Sequence, residues 1–438
     1  VTVTDTIVAV ATPPGVGGIG VVRLSGPQAR PIARRLTGRE VLRPRHAHYG
    51  GFLDPVSGEA LDDGLILFFP GPHSYTGEDV IELQGHGSPV LLEAIVAAAV
   101  DLGARRARPG EFTEQAFLNG RLDLAQAEAV ADLIHAQTEQ AARLARSSLD
   151  GALATELEPV SRAIRDMRVI MEAEIDFGET DLESEAAADI ARRADILHTT
   201  IRELLERLRP ARYFAQGLRL ALVGAPNVGK SSVMNRLAES EVAIVTDRPG
   251  TTRDVLRSPI AIHGIPVELI DTAGLHASED PVEKIGMERA REAATGADLI
   301  LELRDLTRPE AAPDLAAPAE IPRLTVWNKI DCIADPTRAE HGLMISARTG
   351  AGIDALKQAI VERLGVSEGG QQRFSVRARH LDGLRTTATH LAAIDAAAPP
   401  DLIAEELRLA ERALDALLGR QDHEALLGEI FAGFCIGK

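Results

Sequence analysis

Cysteine is scarce: the chain of 438 residues has two, Cys332 and Cys435, with no CxxC spacing. That excludes a disulfide framework and a cysteine-built zinc site, and it fits a reducing compartment, so a cytoplasmic protein is expected. No run of about 18 apolar residues occurs, which argues against a membrane-spanning helix. The start VTVTDTIVAVATPPG lacks a basic region ahead of an apolar one, so no signal peptide is expected. Repeats of about 20–50 residues are absent too. Aromatic residues make up 3%, while Ala, Leu, Glu and Arg are abundant, a balance that leans toward helix. Basic residues are outnumbered, 47 Lys and Arg against 65 Asp and Glu, for a formal charge of −18. Such a chain repels polyphosphate, which disfavours broad, sequence-blind binding to nucleic acid. An RNA partner would have to be held by a restricted basic patch or by a second protein.

The length points to two or three domains. Residues 1–117 mix short β-type runs (TIVAVA, GIGVVRL, GLILFFP, EDVIELQ) with Gly- and Pro-bearing turns and read as an α+β domain. From 118 to 215 the texture is helical, as in LAQAEAVADLIHAQTEQAARLARSSL, and it is helical again over 373–438, which includes DLIAEELRLAERALDALLG and ends in CIGK. Between these, over 216–372, the runs LRLALVG, PVELID, ADLILEL, PRLTVWN and GLMIS alternate with helix-type segments and predict a mostly parallel sheet covered by helices. The fold class expected is therefore multidomain α/β and α, with a helical domain interrupted by the α/β domain.

Directly after LRLALV comes GAPNVGKS, a match to G-x-x-x-x-G-K-[ST] in the strand-to-helix context that the motif requires. Gly229 permits a tight loop whose amides, from Asn227 and Val228 onward, face phosphates; Lys230 offsets their charge, and Ser231, followed by Ser232, can ligate Mg²⁺. TDRPGTT follows, the stretch Thr246, Asp247, Arg248, Pro249, Gly250, Thr251 and Thr252, in which a threonine, here assigned as Thr252, can reach Mg²⁺. DTAG, residues Asp271, Thr272, Ala273 and Gly274, supplies a carboxylate near the metal's water and an amide for the γ-phosphate. NKID, residues Asn328, Lys329, Ile330 and Asp331, selects the base. The Asp331 carboxylate accepts from the two donors that guanine has and adenine lacks, and Asn328 serves the other edge. Lys329 is expected to lay its stem along the base, and Ser346, Ala347 and Arg348 to offer amides to the base oxygen. Together these elements predict a Ras-like P-loop domain that binds and hydrolyses Mg-GTP.

Two parts of a familiar hydrolytic site are missing. Leu275 stands where a Ras-type site has the water-orienting Gln, and no arginine finger is identifiable. Glu283, in HASEDPVEKIG, is the carboxylate that could orient water; spacing alone leaves a solvated switch surface equally open.

GAPNVGKSS, AIVTDRPGTTRD, DTAGL, VEKIG and the terminal FCIGK resemble the MnmE (TrmE) family of tRNA-modification GTPases, over nearly the whole chain. The resemblance implies that K⁺ takes the place of the arginine finger, held by Asn227 and the loop residues Thr246, Arg248 and Thr251, with Glu283 as the catalytic glutamate beside Lys230 and Asn227. Asn227 could equally just shape its loop. ATPPGVGGIGVVRLSG, GPHSYTGEDVIELQGHG and RPGEFTEQAFLNGRLDLAQAEA resemble the family's N-terminal portion, which implies a tetrahydrofolate-binding fold and a constitutive homodimer. Family folate residues map onto Arg23, Glu82, Arg121 and Lys438, with Arg121 where the family often has Lys. Read without the family, these four are surface ion-pairing groups.

The resemblance further implies a partner, the flavoprotein MnmG, carrying FAD in a heterotetramer, and tRNA as substrate. The folate, as the 5,10-methylene or 5-formyl form, would give a one-carbon unit to C5 of the wobble uridine, building a (carboxymethyl)aminomethyl group. Cys435 is conceivable in that chemistry; a buried small hydrophobe is the commoner role for a free cysteine. Two other readings stand beside this one: a ribosome-assembly switch GTPase, and a folate-dependent aminomethyl transferase with a regulatory GTPase domain. No KH-type GxxG element with basic flanks supports the first.

Overall fold

The computed structural model describes residues 5–177, 183–225, 227–240, 260–271, 296–308, 321–333, 342–366, 372–420 and 424–437. Two compact units emerge, Val1–Ala131 with Asp415–Lys438, and Asp132–Leu414.

The first unit is built on a six-stranded sheet in the order β3-β4-β5-β2-β1-β6. Its strands are β1 (Ile7–Val10), β2 (Gly17–Ser25), β3 (His48–Leu53), β4 (Ala60–Phe69), β5 (Val80–Gly87) and β6 (Arg105–Arg106). The period-2 pattern sorts their side chains between two faces. On one face Val8, Val22, Leu24, Ile66, Ile81 and Leu83 bury against α1 (Ala29–Thr37) and α2 (Pro89–Asp101). On the other, Ile7 and Ala9 pack with Phe112 of α3 (Glu111–Leu118).

The sequence texture puts 373–438 together as helical. In the structure the stretch from Asp415 groups instead with residues 1–131, and the first cut falls after Ala131 rather than at 117. The reason is local packing. A Cβ at Gly110 would stand 2.8 Å from the Phe431 carbonyl, and one at Gly419 2.6 Å from the Phe117 ring, so the last helices lie tightly on α3.

Helix α4 (Leu124–His135) spans the cut after Ala131; the second unit then contains α5 (Glu139–Leu149), α6 (Ala152–Phe177), α7 (Glu183–Leu208) and α8 (Arg212–Gln216), then an α/β segment, then α11 (Ala378–Ala392) and α12 (Pro400–Leu418), the last crossing into the first unit at Asp415. The two helical stretches do pack together. Helix α11 lies on α7, and the buried Ser148 hydroxyl accepts from the Ser375 amide at 3.0 Å across 227 positions of sequence. The inserted segment is a sheet in the order β12-β11-β10-β7-β9-β8, formed by β7 (Leu218–Gly224), β8 (Ile260–Ile262), β9 (Ile265–Asp271), β10 (Leu299–Asp305), β11 (Arg323–Asn328) and β12 (Leu343–Met344), with α9 (Lys230–Ser240) and α10 (Ile353–Arg363) between them. All strand pairs are parallel except β8 with β9. Leu218, Leu220 and Leu222 of β7 alternate into a core that also takes Leu144 of α5 and Phe214 of α8. Thr138 caps α5 by accepting from the Ala141 amide and donates to the Gly264 carbonyl at 2.7 Å, so the β8–β9 turn rests on the helical part. Among the described residues no helix is long and apolar enough to cross a membrane.

Candidate functional site

Strand β7 has β9 on one side and β10 on the other, so the chain reverses its winding there and opens a crevice beyond the carboxyl ends of the strands. Gly224, Asp271, Asp305 and Asn328 end β7, β9, β10 and β11 at that edge. Gly229 turns the loop into α9 with φ +101°, and a Cβ there would stand 2.4 Å from Asn328 Nδ2. Only glycine lets the loop approach the NKID segment so closely. Asn227, with φ +59°, takes the left-handed conformation that asparagine tolerates. The buried Lys230 ammonium turns back on the Gly224 and Ala225 carbonyls, at 2.8 and 3.2 Å, which holds a cation inside the loop.

The end of the crevice formed by NKID and the segment after β12 is knit by side-chain hydrogen bonds. Asn328, 3% exposed, donates from Nδ2 to the Val228 carbonyl at 2.8 Å and accepts at Oδ1 from the Ala347 amide at 3.0 Å, tying the phosphate loop to the segment after β12. Asp331 Oδ1 accepts from the Ser346 hydroxyl at 2.5 Å, and Oδ2 pairs with Arg348 at 2.6 Å. The Ser346 hydroxyl, then the Cys332 thiol and the Arg348 guanidinium, hold the Asp331 carboxyl below the usual carboxylate range. The carboxylate is thus charged at neutral pH, as acceptance from two N–H donors requires.

Sequence reasoning missed Asp305. It lies opposite Asn328 in the β10–β11 register and pairs with Lys329 Nζ at 2.6 Å. Burial pushes its carboxyl up, but the hydrogen bonds from Lys329 and Thr307 outweigh burial and leave it low. An acid at the end of the strand next to NKID is the signal that could have found it. The Ser346 and Ala347 amides, expected to face a base oxygen, donate to the Ala351 carbonyl and to Asn328. Val228 is buried, Ser231 and Ser232 open α9, and Ile330 begins a short 3-10 turn. Thr246, Asp247, Arg248, Pro249, Gly250, Thr251, Thr252, Thr272, Ala273, Gly274, Glu283, Lys438 and the Asp271 side chain lie outside the described residues.

The first unit holds a second polar group of side chains. Arg23 and Glu82 face each other across β2 and β5, and the guanidinium donates to Glu82 Oε1 at 3.1 and 2.9 Å. It also donates to the Gly437 carbonyl at 3.3 Å and lies over the Tyr75 and Phe112 rings, 5.6 and 5.7 Å from their centroids. Gly437 has φ +94°, and a Cβ there would stand 2.2 Å from the Val10 carbonyl, so the tail lies flat on β1. Arg121 is exposed, its stem 3.3 Å from the Cβ position of Gly77 in the loop that carries Tyr75. Tyr75, Phe112 and Glu78 went unread in the sequence. Burial pushes the Glu78 carboxyl up, against a 2.8 Å hydrogen bond from Ser25, and the charge of Asp5 adds to the rise. Cys435 is exposed, not buried as a small hydrophobe, and its carbonyl accepts from Gly110.

A family model described as the MnmE helical domain matches residues 124–435, and one described as the GTP-binding protein TrmE N-terminus matches residues 6–121. The tRNA modification GTPase MnmE of Aromatoleum aromaticum is 47% identical over 444 residues, spanning 99% of this chain and 98% of the relative. The protein of the same name from Stutzerimonas stutzeri is 45% identical over 452 residues, spanning 99% of each.

Proposed function

Because the chain belongs to the MnmE (TrmE) family of tRNA-modification GTPases, we propose that it hydrolyses GTP in the service of tRNA modification and works with the flavoprotein MnmG. Together they would add a (carboxymethyl)aminomethyl group to C5 of the wobble uridine. The observation that carries the nucleotide part is the ionised Asp331 carboxylate next to a phosphate loop tied to it through Asn328. Guanine offers that carboxylate two donors in place of Ser346 and Arg348. Ser231 and Thr252 would hold Mg²⁺, which neutralises phosphate charge. Asn227, Thr246, Arg248 and Thr251 would hold K⁺, which supplies the positive charge that an arginine finger otherwise brings. Glu283 orients the attacking water in this reading.

The N-terminal pair fits a folate. A carboxylate already accepting from a guanidinium can accept the paired N–H donors of a pterin, and Tyr75 and Phe112 give flat faces beside it. Arg121 and Lys438 suit a glutamyl tail. A tetrahydrofolate bound there supplies the one-carbon unit, with FAD on the partner. The homodimer forms through the same unit.

Mass analysis of wobble nucleosides in a deletion strain tests this reading: loss of the C5 substituent is expected. Ribosomal precursors accumulating beside intact nucleosides would favour an assembly factor instead. Hydrolysis should also run at least about 10-fold faster in K⁺ than in Na⁺ at matched ionic strength, a lowering of the barrier by at least about 1.4 kcal/mol. Equal rates remove the potassium assignment.

A further inference from the structure

Across residues 29–49 the chain's overall acidity is locally reversed: Arg30, Arg34, Arg35, Arg39, Arg43 and Arg45 stand against a single carboxylate, Glu40, in a protein of net charge −18. Elsewhere most arginines are neutralised, by Glu82, Glu111, Asp298 or Glu411 for example. Among the described residues, none of these six is within ion-pair distance of a carboxylate. Arg30 and Arg34, one helical turn apart on α1, each keep a buried Nε with no acceptor. Arg35, Arg43 and Arg45 are exposed. Arg39 and Arg45 are held in place through backbone carbonyls, Tyr49 at 3.0 Å and His73 at 2.5 Å, which leave their charge uncancelled. The field they make is felt by His48. Burial, then the charges of Arg39, His46 and Arg43, hold that imidazole below its ordinary value.

We propose that α1 and the turn that follows it are the docking surface for the phosphate backbone of tRNA, a proposal that rests on the tRNA-modification reading above. The chemistry favours phosphate. All six cations are guanidiniums, whose planar forks match phosphate oxygens bidentately. A lipid surface fits less well, because the apolar side of α1, Ile32, Ala33 and Leu36, is buried in the core and has no free face to insert. The loop that accepts from Arg45 at His73 also carries Tyr75, which lies under Arg23. A backbone held on the arginines therefore borders the loop that shapes the proposed folate site. The surface also resolves how so acidic a chain meets RNA: through a restricted patch, with long-range repulsion screened beyond about 10 Å at 0.1 M salt.

The test is fluorescence anisotropy of a labelled, unmodified tRNA transcript against the full chain over a range of salt. Arg34→Ala/Arg35→Ala/Arg43→Ala should weaken binding at least about 10-fold and lower the slope of log K against log salt by about 3. Arg35→Ala/Arg43→Ala removes two exposed groups whose side chains make no hydrogen bond among the described residues; it should lower the slope by about 2 with an unchanged melting temperature. Arg192→Ala/Arg193→Ala removes the same charge from α7, where both pair with Asp189, and should change the slope by less than about 0.5. Equal losses in the α1 and α7 variants overturn the proposal, as does a wild-type chain that ignores the transcript or prefers phosphatidylglycerol vesicles. Wobble nucleosides from a deletion strain carrying each variant separate the two levels. A C5 substituent that survives deletion sinks the tRNA-modification reading. A substituent lost on deletion and restored by a patch variant with wild-type tRNA affinity sinks only the patch.

Discussion

The proposed guanine pocket and the Arg23–Glu82 site are assembled in opposite ways. The first takes its side chains from short segments at the ends of neighbouring parallel strands: NKID after β11, Ser346 to Arg348 after β12, and the loop after β7. The second gathers one residue from β2, one from β5, an aromatic from α3, another from a loop, and a carbonyl from the far end of the chain, 414 positions from Arg23. In the proposed reading the pocket's specificity is therefore concentrated in one carboxylate, while the other site depends on how several distant pieces are brought together. That difference predicts where a single substitution does most damage, and in which currency: selectivity in one case, geometry in the other.

Asp331→Asn should produce the largest effect. The amide would present donors to guanine's own donors, and GTP preference over ATP should fall by roughly 10³-fold, because a site built to pair particular polar groups rejects a mismatch strongly. Xanthosine triphosphate, with a carbonyl in place of the amine, should be the nucleotide that gains. Calorimetry with the three triphosphates checks this, and an unchanged order of affinities would remove Asp331 from base recognition. The carboxyl lies below the usual carboxylate range, so GTP binding should persist as pH falls to about 5 and weaken only when that group protonates.

The same contrast explains what could be read from the sequence. The P-loop, NKID and the alternation of strands and helices are contiguous signals, and a phosphate loop is recognised by its own spacing. Asp305 escaped because its role depends on which strand neighbours β11, a fact of sheet order rather than of local pattern. Glu82 and Arg121 came only with the family resemblance, since an isolated carboxylate or arginine is ordinarily a surface group. Tyr75, Phe112 and the tail's position on β1 required the fold itself. The contact grouping departs from the composition for a related reason: composition reports helix on both sides of Asp415, but contacts decide with which unit the helix packs.

Titration with 5-formyl-tetrahydrofolate sharpens the comparison at the second site. Glu82→Gln keeps the shape and removes the charge, and affinity should fall roughly 30-fold, the scale of one charge-assisted hydrogen bond. Gly437→Ala adds only a methyl group, yet its Cβ cannot coexist with the Val10 carbonyl, so the tail whose Gly437 carbonyl accepts from Arg23 must lift from β1. A fall of about 5- to 10-fold is expected, with GTP affinity unaffected. If Gly437→Ala binds folate like the parent, the site is as local as the guanine pocket and the contrast between them dissolves.

The smallest expected effect concerns Glu78, half-buried with its carboxyl pushed up by burial. A carboxyl raised in the folded state binds its proton more tightly there than in the unfolded chain. Its favourable contribution is fully present below the unfolded value, near 4.3 for glutamate, and is lost as pH rises through the folded one. Glu78→Gln mimics the protonated form at every pH. The variant should therefore melt about 1–3 °C higher than the parent at pH 7.5, and the gap should close as pH falls toward about 4. The Ser25 hydroxyl limits the gain, since its bond favours the ionised carboxylate and opposes the rise from burial. A gap that stays constant with pH would mean that packing rather than ionisation separates the two proteins, and the raised carboxyl would then have no part in shaping this face of the sheet.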